Sequence, residues 1–99
     1  MKLEIEIARI FAPVQPKLVI LFGSRARGDD DEHSDVDLIV VYETEKRFLD
    51  RLDELYSLWD LPGAVDMLAY TPEEFERMKG ESGFVADAVA QGKVLYEAA

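Results

Sequence analysis

The run Leu18–Phe22 is unbroken in apolar residues, five positions long, and stops at Gly23-Ser24. A run of that length, bounded by small residues, predicts a strand buried on both faces. A second run, Val36–Tyr42, is rich in β-branched residues and predicts another strand. Ten residues separate Ser24 from Asp35, and the stretch from Asp29 to Ser34 is polar and reads as a loop. Glycine lets backbone approach a ligand closely, and Ser24 is a good helix N-cap. The spacing predicts a short helix from Ser24 through Arg27, opening directly off the first strand.

The flanking segments predict helices around these strands. Ile5, Ile7, Ala8 and Phe11 line one side of an N-terminal helix that stops before Pro13. Phe48, Leu52, Leu55 and Trp59 recur at helical spacing in a helix over 45–59, and Pro62-Gly63 ends that segment. Ala64–Tyr70 predicts a third strand. Thr71-Pro72-Glu73-Glu74 is a strong helix start, with a threonine cap, proline at N1 and glutamate at N3. That helix ends near Gly80. Ser82 caps another, with Phe84, Val85, Ala88 and Val89 expected to face inward and Gly92 as its stop. Lys93–Glu97 is a last short strand. Strands and helices alternate, so the expected fold class is α/β (α+β): a small mixed β-sheet flanked by helices, in one domain over 1–99.

Charge narrows the functions available. The chain carries 21 acids against 11 bases, a formal net charge of −10. Residues 1–28 hold five bases and two acids; every other charged residue lies beyond them, where acids dominate. Such a surface repels nucleic-acid backbone and anionic membrane, and suits a basic protein partner. There is no cysteine, so disulfides and thiolate metal sites are excluded. No apolar run approaches the length of a membrane span, and the N-terminus has no apolar signal core, so a cytoplasmic protein is expected.

Asp35 and Asp37 stand at i and i+2, the spacing that puts two side chains on one face of a strand. Carboxylates held so close repel unless something positive lies between them. Mg²⁺ takes oxygen ligands and is commonly held by one or two carboxylates together with substrate phosphates. A solvated acidic strand end is the alternative reading of the same pair. Asp66 weakens that alternative, because it interrupts an otherwise apolar strand, where an acid needs water or a charged partner. If the third strand lies beside the second, Asp66 joins the pair, and three carboxylates could hold two metal ions for phosphoryl transfer. Gly23 and Ser24 supply the complementary half, a small-residue turn and helix start that attract phosphate. Arg25 and Arg27 add positive charge nearby, but residues two apart do not share a helix face, so at least one is a surface residue.

Two other motifs fail on spacing. Gly23 to Gly28 begins like a P-loop, but Asp29 and Asp30 stand where Lys and Ser/Thr are required. A calcium loop starting at Asp29 would have Ser34 at its glycine position and Val40 at its bidentate glutamate. The lone histidine, His33, cannot support a zinc site.

Gly-Ser-Arg-Ala-Arg-Gly at 23–28, followed by Ser34-Asp35-Val36-Asp37-Leu38, closely resembles the signature of minimal nucleotidyltransferases of the DNA polymerase beta-like superfamily. The likeness is specific over 18–42 and looser over the rest of the chain, including the closing Gly-x-Val-Leu-Tyr-Glu at 92–97. The resemblance implies a nucleotide cleft over the second and third strands. It implies that Gly23, Ser24 and Arg25 meet the nucleotide, that Asp35 and Asp37 bind Mg²⁺, and that Asp66 is the third carboxylate. It implies ATP as substrate, with AMP moved to a protein hydroxyl and pyrophosphate released. Small proteins of this type typically pair with a HEPN-domain toxin as its antitoxin, which implies a hetero-oligomer. Two further readings stay open: a binding module that neutralises its partner by occlusion, and nucleotidyl transfer to a small molecule.

Overall fold

The computed structural model describes residues 2–23, 26 and 35–98. Helix α1 (Leu3–Phe11) runs through a short 3₁₀ turn at Ala12–Val14 into strand β1 (Leu18–Phe22). Strand β2 (Val36–Val41), helix α2 (Phe48–Leu58) and strand β3 (Val65–Tyr70) follow. Helices α3 (Pro72–Glu81) and α4 (Gly83–Gln91) then lead to strand β4 (Lys93–Glu97). The mixed sheet has the order β3-β2-β1-β4. β1 pairs antiparallel with both β2 and β4, whereas β2 and β3 run parallel. The expected mixed sheet with flanking helices is what forms.

Alternation along each strand sorts side chains between two cores. Val19, Leu21, Leu38, Val40, Met67 and Ala69 face one side and bury Ile7, Ile10 and Phe11 of α1 and Leu55 of α2. Ile20, Ile39 and Val41 face the other and bury Phe75 of α3 with Val85 and Ala88 of α4. The two central strands are covered on both faces, which is why they read as continuous apolar runs.

Several sequence expectations shift at the edges. In α1 the buried side chains are Ile7, Ile10 and Phe11, while Ile5 is 66% exposed. In α4 only Val85 and Ala88 are buried, and Phe84 and Val89 face outward. A nine-residue helix lying on a sheet has room to bury one narrow stripe, and here that stripe has i, i+3 spacing. Helix α2 begins at Phe48 rather than 45. The reason lies in the preceding turn. The Thr44 hydroxyl accepts from the Lys46 N–H at 3.1 Å, and the Lys46 carbonyl accepts from Arg51 Nε at 2.7 Å. Side-chain bonds of this kind offer backbone groups an alternative to the helix ladder. The α3 start matches its sequence: Thr71 accepts from the Glu74 N–H, and Glu74 accepts from the Thr71 N–H, closing a capping box.

Candidate active site

Strand directions decide where the predicted site residues meet. β1 is antiparallel to β2, so its last residue lies beside the first residues of β2, and Phe22 pairs with Asp37. β3 is parallel to β2, so its first residues arrive at the same end, and Asp37 pairs with Asp66. Adjacent strands lie about 4.8 Å apart, which places the Asp37 and Asp66 side chains as neighbours on one face. That face is the one covered further along by α3 and α4. Gly23 follows β1 at this same end of the sheet.

Gly23 has φ +78°, in the region that favours glycine. A Cβ built on it would collide with the Asp37 carboxylate. Glycine is therefore required twice over: to make the turn, and to leave room for the acid from the neighbouring strand. Asp37 is half-buried, and Asp66 is exposed despite its apolar neighbours Val65 and Met67. The strand alternation explains this, since Val65 and Met67 turn to the α1–α2 side and Asp66 to the other.

Asp35 lies one residue before β2 and is exposed. Among the described residues, no three Asp, Glu, His or Cys side chains group closely enough to hold a metal ion. The structure thus joins Gly23, Asp37 and Asp66, and leaves Asp35 beside them without closing a three-acid cluster. Ser24 and Arg25, expected to hold phosphate, lie outside the described residues, as do Arg27 and His33. Among the described residues, the donors at this sheet end are carboxylate oxygens, which suit Mg²⁺ rather than a soft metal.

An open groove of about 570 Å³ runs from the two acids along β3, past Leu68 to Tyr70, with Phe22 and Phe84 on its other wall. A smaller pocket of about 210 Å³ adjoins it, lined by Phe22, Gly23, Phe84, Asp87, Ala88, Gln91 and Gly92. Phe22 and Phe84 meet edge to face, with ring centroids 5.5 Å apart. This aromatic wall is not legible in the sequence, because Phe84 falls where the helical pattern predicts core.

A buried cation was also missed. Arg51 is 8% exposed. It donates to both carboxylate oxygens of Glu74, at 2.6 and 3.2 Å, tying α2 to the first turn of α3. The guanidinium, and then the Thr71 N–H, hold the Glu74 carboxyl below its usual range. Tyr42, buried at the end of β2, donates to Glu54 at 3.0 Å. Burial and then the Glu54 carboxylate push its phenol above the ordinary tyrosine value. These networks brace the opposite end of the sheet, where β2 and β3 finish.

The family model described as polymerase beta, nucleotidyltransferase matches residues 6–99. The chain belongs to that family. A Haemophilus influenzae relative named for protein adenylyltransferase activity, MntA, is 44% identical over 61 residues, covering 58% of this chain and 54% of the relative. The matched part is thus little more than half of that relative's length. A Methanocaldococcus jannaschii protein, also named for protein adenylyltransferase activity, is 34% identical over 81% of this chain and 78% of its own. The fold matches one chain of a crystal structure of a toxin-antitoxin with AMP-PNP, at TM-score 0.66 and 23% identity, over 98% of this chain and 75% of that one. Gly23, Asp37 and Asp66 all lie within the stretch that the family model matches. Among the described residues, no helix is long and apolar enough to cross a membrane.

Proposed function

We propose that the protein is a Mg²⁺-dependent nucleotidyltransferase that moves AMP from ATP to a hydroxyl of a partner protein. The observation that carries this reading is the meeting of Gly23, Asp37 and Asp66 at one end of the sheet. The names of the two relatives and the toxin-antitoxin neighbour support a protein acceptor, and a HEPN-type toxin fits. The chain then acts as the antitoxin. Its excess of acids favours docking on a basic partner.

In this reading the backbone at Gly23, the Ser24 hydroxyl and Arg25 hold the β and γ phosphates. Asp37 and Asp66, with Asp35 beside them, would hold Mg²⁺. Bound there, it would offset the charge that develops on the phosphate oxygens. Asp66 accepts the proton of the acceptor hydroxyl. That oxygen forms a bond to the α phosphorus as the bond from the α phosphorus to the bridging β oxygen breaks, and pyrophosphate leaves. The groove along β3 leads to Asp66 and gives the acceptor side chain its approach.

The test is incubation of the protein and its partner with Mg²⁺ and ATP labelled at either the α or the γ phosphate. Label from the α position alone on the partner is the expected result. Label from γ would mean phosphoryl transfer, and no label from either would overturn the reading. The variant Asp35→Ala/Asp37→Ala separates catalysis from occlusion. Loss of protection from the toxin is expected, and retained protection would mean that binding suffices.

A further inference from the structure

We infer that the pocket behind Phe84 takes the nucleobase of the nucleotide, with Asp87 accepting a hydrogen bond from an exocyclic amino group. The inference rests on the nucleotidyltransferase reading of the neighbouring acids and adds where the base sits and what recognises it.

Three observations carry it. The pocket shares Phe22 and Phe84 with the groove that holds the acids, and Gly23, which lies against Asp37, lines it, so a ligand whose phosphates lie at Gly23 can extend into it. Phe84 is 58% exposed, an unusual position for a large apolar ring, and Phe22 holds it edge-on with planes at 88°. An aromatic ring fixed in this way offers an open face for stacking, and every base has a face to stack. Asp87 and Gln91 are i and i+4 on α4, so both project from the same side of the helix into the pocket.

Charge assigns the parts of the ligand. The Asp87 carboxylate repels phosphate, which reserves the pocket for the uncharged end of the nucleotide. An ionised carboxylate only accepts hydrogen bonds, whereas the Gln91 amide both donates and accepts. An amino group next to a ring nitrogen, as in adenine, satisfies the two together. Gly92 lets the end of α4 lie close on β1, because a Cβ there would meet the Ala88 carbonyl, Ile20 and the backbone of Leu21.

Calorimetry with the full chain in Mg²⁺ buffer separates this inference from the reading beneath it. Tripolyphosphate probes the phosphate site alone, ATP probes both, and purine riboside triphosphate lacks only the amino group. The wild type should bind ATP about tenfold or more tighter than tripolyphosphate. Phe84→Ala should remove that difference and leave tripolyphosphate affinity unchanged, while Phe84→Tyr keeps it. Asp87→Ala should level ATP with purine riboside triphosphate. If tripolyphosphate binds but Phe84→Ala leaves ATP affinity unmoved, the base pocket is overturned and the phosphate site stands. If the wild type binds neither, both are overturned.

Discussion

Gly23 and Asp37 form the tightest constraint in the site, since the carboxylate occupies the space where any other residue at 23 would begin. Gly23→Ala therefore combines an unfavourable φ with a collision. It should cost on the order of 1–2 kcal/mol of stability from the backbone alone. Thermal melting checks this, and an unchanged melting temperature would contradict it. Asp37 and Asp66 oppose each other at paired register, and like charges so placed are destabilising. Asp37→Asn should lose the rise in melting temperature that Mg²⁺ with ATP produces in wild type. A variant that keeps the full rise would place the metal elsewhere. Asp66→Asn should lower transfer by about a hundredfold or more, measured as initial rate with the partner present. The residue-scale pairing was partly legible. Asp-x-Asp and the acid in an apolar strand were visible at 35, 37 and 66. The contact between Gly23 and Asp37 was not, because it depends on strand register.

At the scale of elements, the Arg51–Glu74 pair links α2 to the capping box of α3. Glu74 keeps its bond from the Thr71 N–H and is partly exposed, so loss of the charged pair in Arg51→Ala should destabilise by about 2 kcal/mol, read by urea titration. Glu74 has its folded pKa lowered. Its stabilisation is therefore complete above the ordinary glutamate value of about 4.3 and fades as pH falls through the lower folded value. The gap in melting temperature between wild type and Glu74→Gln should accordingly be full at neutral pH and shrink towards pH 3. A gap that did not change with pH would contradict the pairing. Helix α3 was legible because its start signals are local: Thr71, Pro72 and Glu74 act within one turn. The start of α2 was not, because Arg51 captures the Lys46 carbonyl. Apolar periodicity likewise named Phe84 and Val89 as core, yet it cannot tell how wide a stripe the sheet will cover.

For the whole molecule, the order β3-β2-β1-β4 turns residues spread over 23–66 into one site. The alternation of runs predicted a mixed sheet flanked by helices. Which strands run parallel follows from packing, and that choice brings Asp66 to Asp37. The functional account stands on this convergence. Its most direct test is the intact mass of the proposed partner protein purified after co-expression with this chain, wild type or Asp37→Asn. The account predicts a gain of AMP, in whole units, on the partner with wild type and none with the variant. A partner that carries no AMP with wild type, or carries as much with Asp37→Asn, would contradict it.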